Sequence, residues 1–448
     1  MMPDHGLPSA GAPLALSVEV VNQLATVGPI FLAFSGGLDS TVLLHLLTSS
    51  GVPFTALHIN HQLSPNADQW QQHCARECAA LAVPFEAHRV HIDTGGQGLE
   101  AAARASRYAV FEAALAAGGA LLTAHHVDDQ AETLLLRLVR GAGVAGLGAM
   151  SSERPLGQGV LMRPLLGASR AQLQAYAQAH QLRWIDDESN ANTAFDRNFL
   201  RAQIMPLLQE RWPQQAGRLA QAATHCREAT QLLTELAEQD AAVLQARDEL
   251  VGVSVSLEGL RQLSSARQRN VLRHWLAQWR VVLSTEHLAL LRHQWLALPT
   301  DAQPELVVEG GRLVRFAGRG FWLPHVDLIP PVPVDLYPDQ VVAIGDLRLC
   351  LRASDATDRG LALPTCGHWH LRPRASGERC HPSSRARSQT LKKCLQEKGL
   401  APWLRQCVPL ICDSSDPSAI WAVGDLWREQ AAPTGPYAVH WWLENPHC

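Results

Sequence analysis

The chain has 448 residues, 47% of them hydrophobic and 18% charged, enough to bury more than one core and to favour two or three domains. A net charge of -4 argues against a chain that binds polyanions over its whole surface, and no run approaches the roughly 18 apolar residues of a membrane span. The first residues carry no basic cluster ahead of an apolar stretch, and the ten cysteines include no CxxC pair; a cytoplasmic protein with reduced thiols and no membrane partner is expected.

From Pro29 to about Arg140, short apolar runs alternate with helical patterns. IFLAFS (30–35), FTALHIN (54–60), FEAHRVHI (85–92) and ALLTAHH (120–126) read as strands, with helices starting near Leu38, Asn66, Leu99 and Asp129. This is the signature of an α/β fold built on a doubly wound parallel sheet, whose ligands sit at the carboxyl ends of strands: here Ser35, Asn60 with His61, and His125 with His126. A glycine-rich loop (141–150), a helix over 169–181 and the polar run WIDDESNANTAFDRN lead to a helix ending near Arg211. The expected organisation is a first domain over 1–215, a mainly helical domain over 216–326 with strand-like RLVRFAGRGFWL inside it, a proline-dense linker over 327–338, and a small α+β domain over 339–448.

Charge is unevenly placed. Between His368 and Arg405 nine Lys or Arg face only Glu378 and Glu397, a net +7, and the window Arg261 to Arg280 holds five arginines and no acid. Local basic patches on an acidic chain point to an anionic partner docked at chosen surfaces.

The break in FLAFSGGLDSTVLLHLL (31–47) carries the clearest chemistry. Glycines bring backbone amides outward, the first turn of a helix leaves N–H groups without an intrahelical acceptor, and Ser35 and Ser40 add hydroxyls, so the corner is an anion site. Asp39 repels a polyphosphate unless a metal lies between them, and magnesium resolves that conflict. The competing reading is an ordinary helix cap. No lysine follows the glycines, which disfavours a standard P-loop.

Ser35-Gly36-Gly37-Leu38-Asp39-Ser40 resembles the SGGxDS signature of the PP-loop, or N-type, ATP pyrophosphatases. The resemblance implies a Rossmann-like domain that cuts ATP between its α and β phosphates with Mg2+, binding the nucleotide through these six residues. Backbone near Ile59 and Asn60 is then expected at the adenine.

Further stretches narrow the family: HINHQLSPNADQW (58–70), GLEAAARASRYAVF (98–111), TAHHVDDQAETLLLRLVRGAGVAGLGAM (123–150), RPLL (163–166), WIDDESNANTAFDRNFLR (184–201) and LKKCLQEKGLAPWLRQCVPLI (391–411) together resemble the bacterial tRNA(Ile)-lysidine synthases. That resemblance implies a carbon–nitrogen ligase. It uses ATP to adenylate the C2 oxygen of the wobble cytidine in a CAU-anticodon isoleucine tRNA, and the ε-amine of L-lysine then displaces AMP. It makes 1–215 the catalytic domain, 216–326 a substrate- or tRNA-binding domain and 339–448 a small basic tRNA-binding domain; a homodimer is left open.

Read from the residues, His125, Asp129 and Glu132 share one side of an incipient helix, able to hold an ammonium or a metal, or else to form a capping box with Asp128 merely solvated. Glu100, Arg104 and Arg107 share a helix face, as a phosphate clamp or a surface ion pair. Arg197 and Arg201, one turn apart with Asn198 between them, either meet tRNA phosphate, brace the site, or pair with Asp186, Asp187 or Asp196. His58 and His61 point to opposite faces of a strand, a poor zinc pair. The expected catalytic residues are Asp39, which also holds the metal, with Arg104, Asp129 and Glu132; substrate contacts are expected from His125, Asp128, Arg107, Arg197, Arg201, Lys392, Lys393, Trp403 and Arg405, with Trp369 beside the basic stretch.

Two places depart from the family pattern: Gln62 follows His61 where glycine is usual, and SQTLKK (388–393) replaces G-R-K-L-K-K. The alternatives are a tRNA-thiolating PP-loop enzyme, opposed by the missing CxxC pairs, and a catalytically silent tRNA-binding relative, opposed by the intact Asp39, Ser40 and Asp129.

Overall fold

The computed structural model describes residues 14–91, 99–115, 118–188, 192–299, 301–353 and 360–444. The chain divides after Leu232 into two compact units.

The first unit runs α1 (Val18–Thr26), β1 (Ile30–Ala33), α2 (Leu38–Ser50), β2 (Thr55–Asn60), α3 (Ala67–Ala80), β3 (Phe85–Arg89), α4 (Leu99–Ala114), β4 (Ala120–Leu122), α5 (Val127–Val139), α6 (Val144–Leu147), β5 (Glu153–Leu156), β6 (Gly159–Met162) and α7 (Arg170–Ala179). A helical segment follows as α8 (Asp196–Phe199), a π turn (Leu200–Ile204) and α9 (Met205–Arg211), then α10 (Gln215–Leu244). The six strands order as β3-β2-β1-β4-β6-β5, parallel except for β5, which pairs antiparallel with β6. Strand order reverses between β1 and β4, so the crevice beyond their carboxyl ends is the ligand position of a doubly wound sheet.

Alternation along the strands explains burial on both faces. Leu32 and Leu122 pack with α2 on one side, while Leu57, Leu121 and Leu161 pack with Phe111 of α4 on the other. In α2, Val42, Leu43, Leu44 and Leu47 are fully buried, each worth about 1.5–3 kcal/mol, and Gly51 ends the helix in the left-handed region at φ 71°.

Strand β4 ends at Leu122, short of the expected 126, and α5 starts at Val127. His125 and His126 therefore lie on the strand-to-helix turn.

The second unit begins with β7 (Arg247–Asp248), β8 (Val253–Ser256), α11 (Leu257–Arg261), α12 (Ser265–Ala277), α13 (Thr285–Leu296), β9 (Glu305–Val308), β10 (Gly311–Phe316) and β11 (Arg319–Pro324). Alongside the expected helices stands a five-stranded antiparallel sheet, β7-β8-β11-β10-β9, burying Trp295, Leu313 and Trp322 against α12 and α13. RLVRFAGRGFWL is the β10–β11 hairpin, turned at Ala317 and Gly318, both with positive φ.

The rest contains β12 (Val334–Leu336), β13 (Val342–Ile344), β14 (Leu347–Ala353), β15 (Trp369–Arg372), β16 (Arg379–Cys380), β17 (Gln389–Thr390), α14 (Leu391–Glu397), β18 (Leu410–Asp413), β19 (Ile420–Val423), β20 (Trp427–Arg428) and β21 (Tyr437–Leu443). The proline-dense stretch is not all linker. Val334–Leu336 pairs with β15 at the edge of the sheet β12-β15-β18-β19-β20 and buries Leu336, an edge being where proline-flanked backbone is tolerated. Among the described residues no helix is long and apolar enough to cross a membrane.

Candidate active site

The Ser35–Ser40 corner is shaped by sterics before chemistry. Gly36 sits at φ 81°, and a Cβ there would come within 2.7 Å of both Cys74 Sγ and Ile185 Cδ1. Its carbonyl accepts from the Ile185 N–H at 2.9 Å and from the Thr41 hydroxyl at 3.3 Å, so the loop is braced from the WIDD segment. Ser35 Oγ and Ser40 Oγ lie 3.1 Å apart, and Ser40 Oγ donates to the Gly37 carbonyl at 3.0 Å. Helix α2 opens at Gly37 with no side-chain cap, which leaves its amino end available to an anion.

Asp39 is not alone in the crevice. Its Oδ2 lies 3.6 Å from His126 Nε2, which is also 3.4 Å from Asp129 Oδ2, while His126 Nδ1 lies 3.5 Å from Asp128 Oδ2. These are ionic contacts longer than hydrogen bonds, and the ring is fully buried. Burial alone would push the His126 pKa down; Asp128, Asp39 and Asp129 outweigh it and raise it to about 10, so the ring is an imidazolium held among three carboxylates. His126 was expected with His125 at the ligand end of its strand, but His125 and not His126 was given a substrate contact, because neighbours along a turn point in different directions.

A folded pKa near 10 against an ordinary 6.5 means that this stabilisation is complete below 6.5 and fades as pH rises through about 10. Asp128 and Asp129 are held below 3.8 despite burial, chiefly by His126, so their contribution is present above 3.8 and fades as pH falls. His126→Gln is expected to flatten the alkaline decline; urea unfolding at both ends of that window reads it, and an equally steep decline in the variant would contradict the imidazolium.

Asp129 acts as the third residue of α5, accepting from the His126 backbone N–H at 3.0 Å, and is not the cap itself. Arg197 and Arg201 meet Asp129 and Glu132: Arg197 Nη2 to Asp129 Oδ1 at 2.8 Å, Arg197 Nε to Glu132 Oε2 at 2.8 Å, and Arg201 Nε to Glu132 Oε1 at 2.7 Å. Arg201 also reaches Glu132 Oε2 at 2.9 Å, making that pair bidentate. The π turn at Leu200–Ile204 sits between α8 and α9, a register shift of the kind found at functional sites. Of the three expected aspartate partners, Asp196 pairs instead with Arg140.

Four carboxylates (Asp39, Asp128, Asp129, Glu132) face three cations (His126, Arg197, Arg201), leaving one negative charge over. His125 lies beside them with its pKa lowered to about 4, first by burial and then by Arg163, Arg197 and Arg104 against the pull of Asp129, and its Nδ1 is 2.9 Å from the Thr123 hydroxyl. It is a neutral imidazole beside the network.

Asn60 is spent on structure. Its Nδ2 donates to Asp68 and Gln71 at 3.0 Å, its Oδ1 accepts from the Gln62 N–H at 3.0 Å, and its carbonyl accepts from Val90. Ile59 packs with the Leu57 cluster. Gln62 sits at φ 57°, which gives a physical reason for glycine there. Gln62→Gly is expected to stabilise the fold by about 0.5–1 kcal/mol, read as a raised urea midpoint at unchanged slope. His58 Nδ1 is 2.9 Å from the Phe34 carbonyl, which ties β2 to β1.

Arg104 and Arg107 share one face of α4 beside Tyr108; the Glu100 side chain lies outside the described residues. The far basic stretch is more committed than its charge suggests. Arg372 pairs with Glu378 and Arg385 with Glu397, both at 2.5 Å, while Lys393 approaches Glu397 at 3.9 Å. Lys392 is exposed, and Arg405 Nε donates to the Leu400 carbonyl. Two tryptophans depart from a solvent-facing role. Trp403 packs edge-on against Phe316 and Phe321, and Trp369 is fully buried with its Nε1 donating to the Ala362 carbonyl. The departure at 388–390 is a short strand: Gln389–Thr390 pairs with β16 and leads straight into α14. In the arginine window, Arg261 pairs with Glu258 and Arg267 with the buried Asp240.

Residues 16–208 match the PP-loop domain, 256–320 the TilS substrate binding domain and 369–443 the TilS substrate C-terminal domain. The chain is 39% identical over 444 residues to the tRNA(Ile)-lysidine synthase of Serratia proteamaculans, covering 95% of this chain and 98% of that one. It is 43% identical over 425 residues to the enzyme of that name from Pseudomonas aeruginosa (91% and 92% covered), and 37% identical over 405 residues to that of Coxiella burnetii (88% of each). With similarity of this depth over nearly its whole length, the chain belongs to the tRNA(Ile)-lysidine synthase family.

Proposed function

We infer that this chain is an ATP-dependent ligase joining free L-lysine to C2 of the wobble cytidine of a CAU-anticodon isoleucine tRNA. One observation carries the reading beyond ATP use. His126 touches both Asp39 of the ATP loop and Asp129 of the HHVDDQAET turn, so phosphate chemistry and the carboxylate network share a single crevice.

In the first step the cytidine C2 oxygen attacks the α-phosphorus of ATP and pyrophosphate leaves. Backbone amides at Gly36–Asp39 and the hydroxyls of Ser35 and Ser40 hold the departing phosphates. The donor set at Asp39 suits Mg2+: Oδ1 is buried without a hydrogen-bond partner, and magnesium takes one or two carboxylates with phosphate oxygens and water. When bound, the ion offsets charge on the phosphates; Asp39 would hold it, and no group of three or more metal ligands occurs among the described residues.

In the second step the lysine ε-amine attacks C2 and AMP leaves. Asp129 and Glu132 are matched by Arg197 and Arg201, so an ammonium entering beside them takes over part of a contact that an arginine now makes. Neither His125, lowered to about 4 chiefly by burial, nor Asp129, held below the usual carboxylate range chiefly by His126, is a strong base. The ammonium therefore gives up one proton to solvent or to a network carboxylate before attack, because only the neutral amine carries a lone pair, and the cationic adduct gives up a second the same way as AMP leaves.

A thiolating role finds no support in the two thiols of α3 beside the loop: Cys74 and Cys78 are buried and pushed up to about 12, far from a reactive thiolate. The test is to mix the protein with ATP, labelled lysine and CAU-anticodon isoleucine tRNA. Label is expected in that tRNA with one AMP released per lysine. AMP release without label would sink the lysine assignment, and equal labelling of elongator methionine tRNA would sink the anticodon specificity.

A further inference from the structure

The first unit carries a second charged cluster that the reaction scheme leaves unused. Arg104 Cζ lies 4.9 Å and Arg154 Cζ 5.1 Å from the centre of the Tyr108 ring, and Arg104 Nη2 reaches the Tyr108 hydroxyl at 3.4 Å. Stacking occupies the flat faces of both guanidinium groups; Arg154 Nη1 donates to the Pro155 carbonyl at 3.0 Å, and the remaining N–H groups of each are left to bind oxygen in plane. Arg163, at the end of β6, is 6% exposed; its Nη1 donates to the Ser151 carbonyl at 2.7 Å, and its buried Nε has no hydrogen-bond partner.

Positive charge is concentrated here, and among the described side chains no acid balances it. Burial, then Arg104 and Arg197, hold Arg107 below the usual arginine range, and burial, Arg154 and Arg104 do the same to Arg163. Burial pushes the Tyr108 hydroxyl up, but the arginines around it bring it below its ordinary value. Among the described residues no carboxylate pairs with Arg104, Arg107, Arg154 or Arg163, whereas Arg197 and Arg201 nearby are fully matched. Guanidinium groups crowded together, with Arg154 and Arg163 meeting no carboxylate among the described residues, repel one another in the free protein, and an incoming polyanion relieves that repulsion.

Position selects the polyanion. The ATP loop leaves β1, while Arg163 follows β6 and Arg154 lies on β5, two and three strands away in the sheet order. At about 4.8 Å per strand this is roughly 10–14 Å across the sheet, beyond the phosphates seated on the loop. We propose that Tyr108, Arg154 and Arg163, with Arg104, form a seat for a backbone phosphate of the RNA strand that presents the target base. The seat rests on the tRNA reading above. It holds the strand on the β5 side while the base reaches the crevice between β1 and β4.

The test measures binding of unmodified CAU-anticodon tRNA to the full chain across a salt series, without ATP or lysine. Arg154→Gln is expected to weaken binding about tenfold at low salt and to reduce the slope of log affinity against log salt by about 1. Arg154→Lys keeps the charge and is expected to keep the slope. Tyr108→Ala, which removes the stacking surface, is expected to weaken binding similarly and serves if Arg154→Gln does not fold. In turnover, Arg154→Gln is expected to raise KM for tRNA while KM for ATP stays within about twofold. An unchanged slope in Arg154→Gln overturns the seat alone, and a raised KM for ATP with unaltered tRNA binding reassigns the cluster to the nucleotide. Failure of the wild-type chain to bind any tRNA overturns both readings.

Discussion

Asp39→Ala is expected to lower AMP and pyrophosphate release by about 10³-fold, with folding retained. The size follows from its position. Asp39 lies in the first turn of α2, at the loop that grips ATP, with one carboxylate oxygen near the buried imidazolium of His126 and the other free of any hydrogen bond. Its removal takes away the group that suits magnesium and one of the three carboxylates around His126. The side chain is only partly buried, so alanine leaves little cavity. Direct assay of AMP at saturating ATP, lysine and tRNA decides the matter. A variant retaining a tenth or more of wild-type AMP release would remove Asp39 from the chemistry.

Arg201→Met is expected to destabilise the first unit by about 2–3 kcal/mol and to cut activity with it. Glu132 is 2% exposed and takes a bidentate contact from Arg201, so losing that partner strands part of a buried charge. The cost falls short of the roughly 3–5 kcal/mol for a wholly unpaired buried ion, because Arg197 still reaches Glu132 at 2.8 Å. Pairing Arg201→Met with Glu132→Leu is expected to recover at least half of the loss, since the stranded charge then disappears. Urea unfolding of the two singles and the double closes the cycle. Additive losses would mean that the two residues do not act on each other.

Both predictions concern residues that were visible in sequence, but for different reasons. SGGLDS was legible as chemistry because strand, corner and helix are contiguous, and every group that shapes the anion site lies within a few residues of the next. Asp129 and Glu132 were legible as a face of α5, yet their partners were not. Arg197 and Arg201 come from 65 to 72 residues further on, and their competing partners Asp186, Asp187 and Asp196 were nearer in the chain. His126 was passed over for His125 because the strand ends at Leu122, four residues earlier than its apolar pattern suggested. Trp369 and Trp403 look alike in a basic, aromatic stretch, and only packing shows one to be core and the other a wedge against Phe316 and Phe321.

By itself, then, the sequence determined the doubly wound N-terminal fold, the phosphate loop and the family, because periodicity, glycine corners and extended motifs are local patterns that survive without a third dimension. The tertiary structure alone decided how charge is distributed. It matched two arginines to Asp129 and Glu132, buried His126 among Asp39, Asp128 and Asp129, and gathered arginines around Tyr108 that meet no carboxylate among the described residues. Electrostatic pairing depends on distances between segments far apart in the chain and on how deeply each group is taken out of water, and neither quantity is written in residue order.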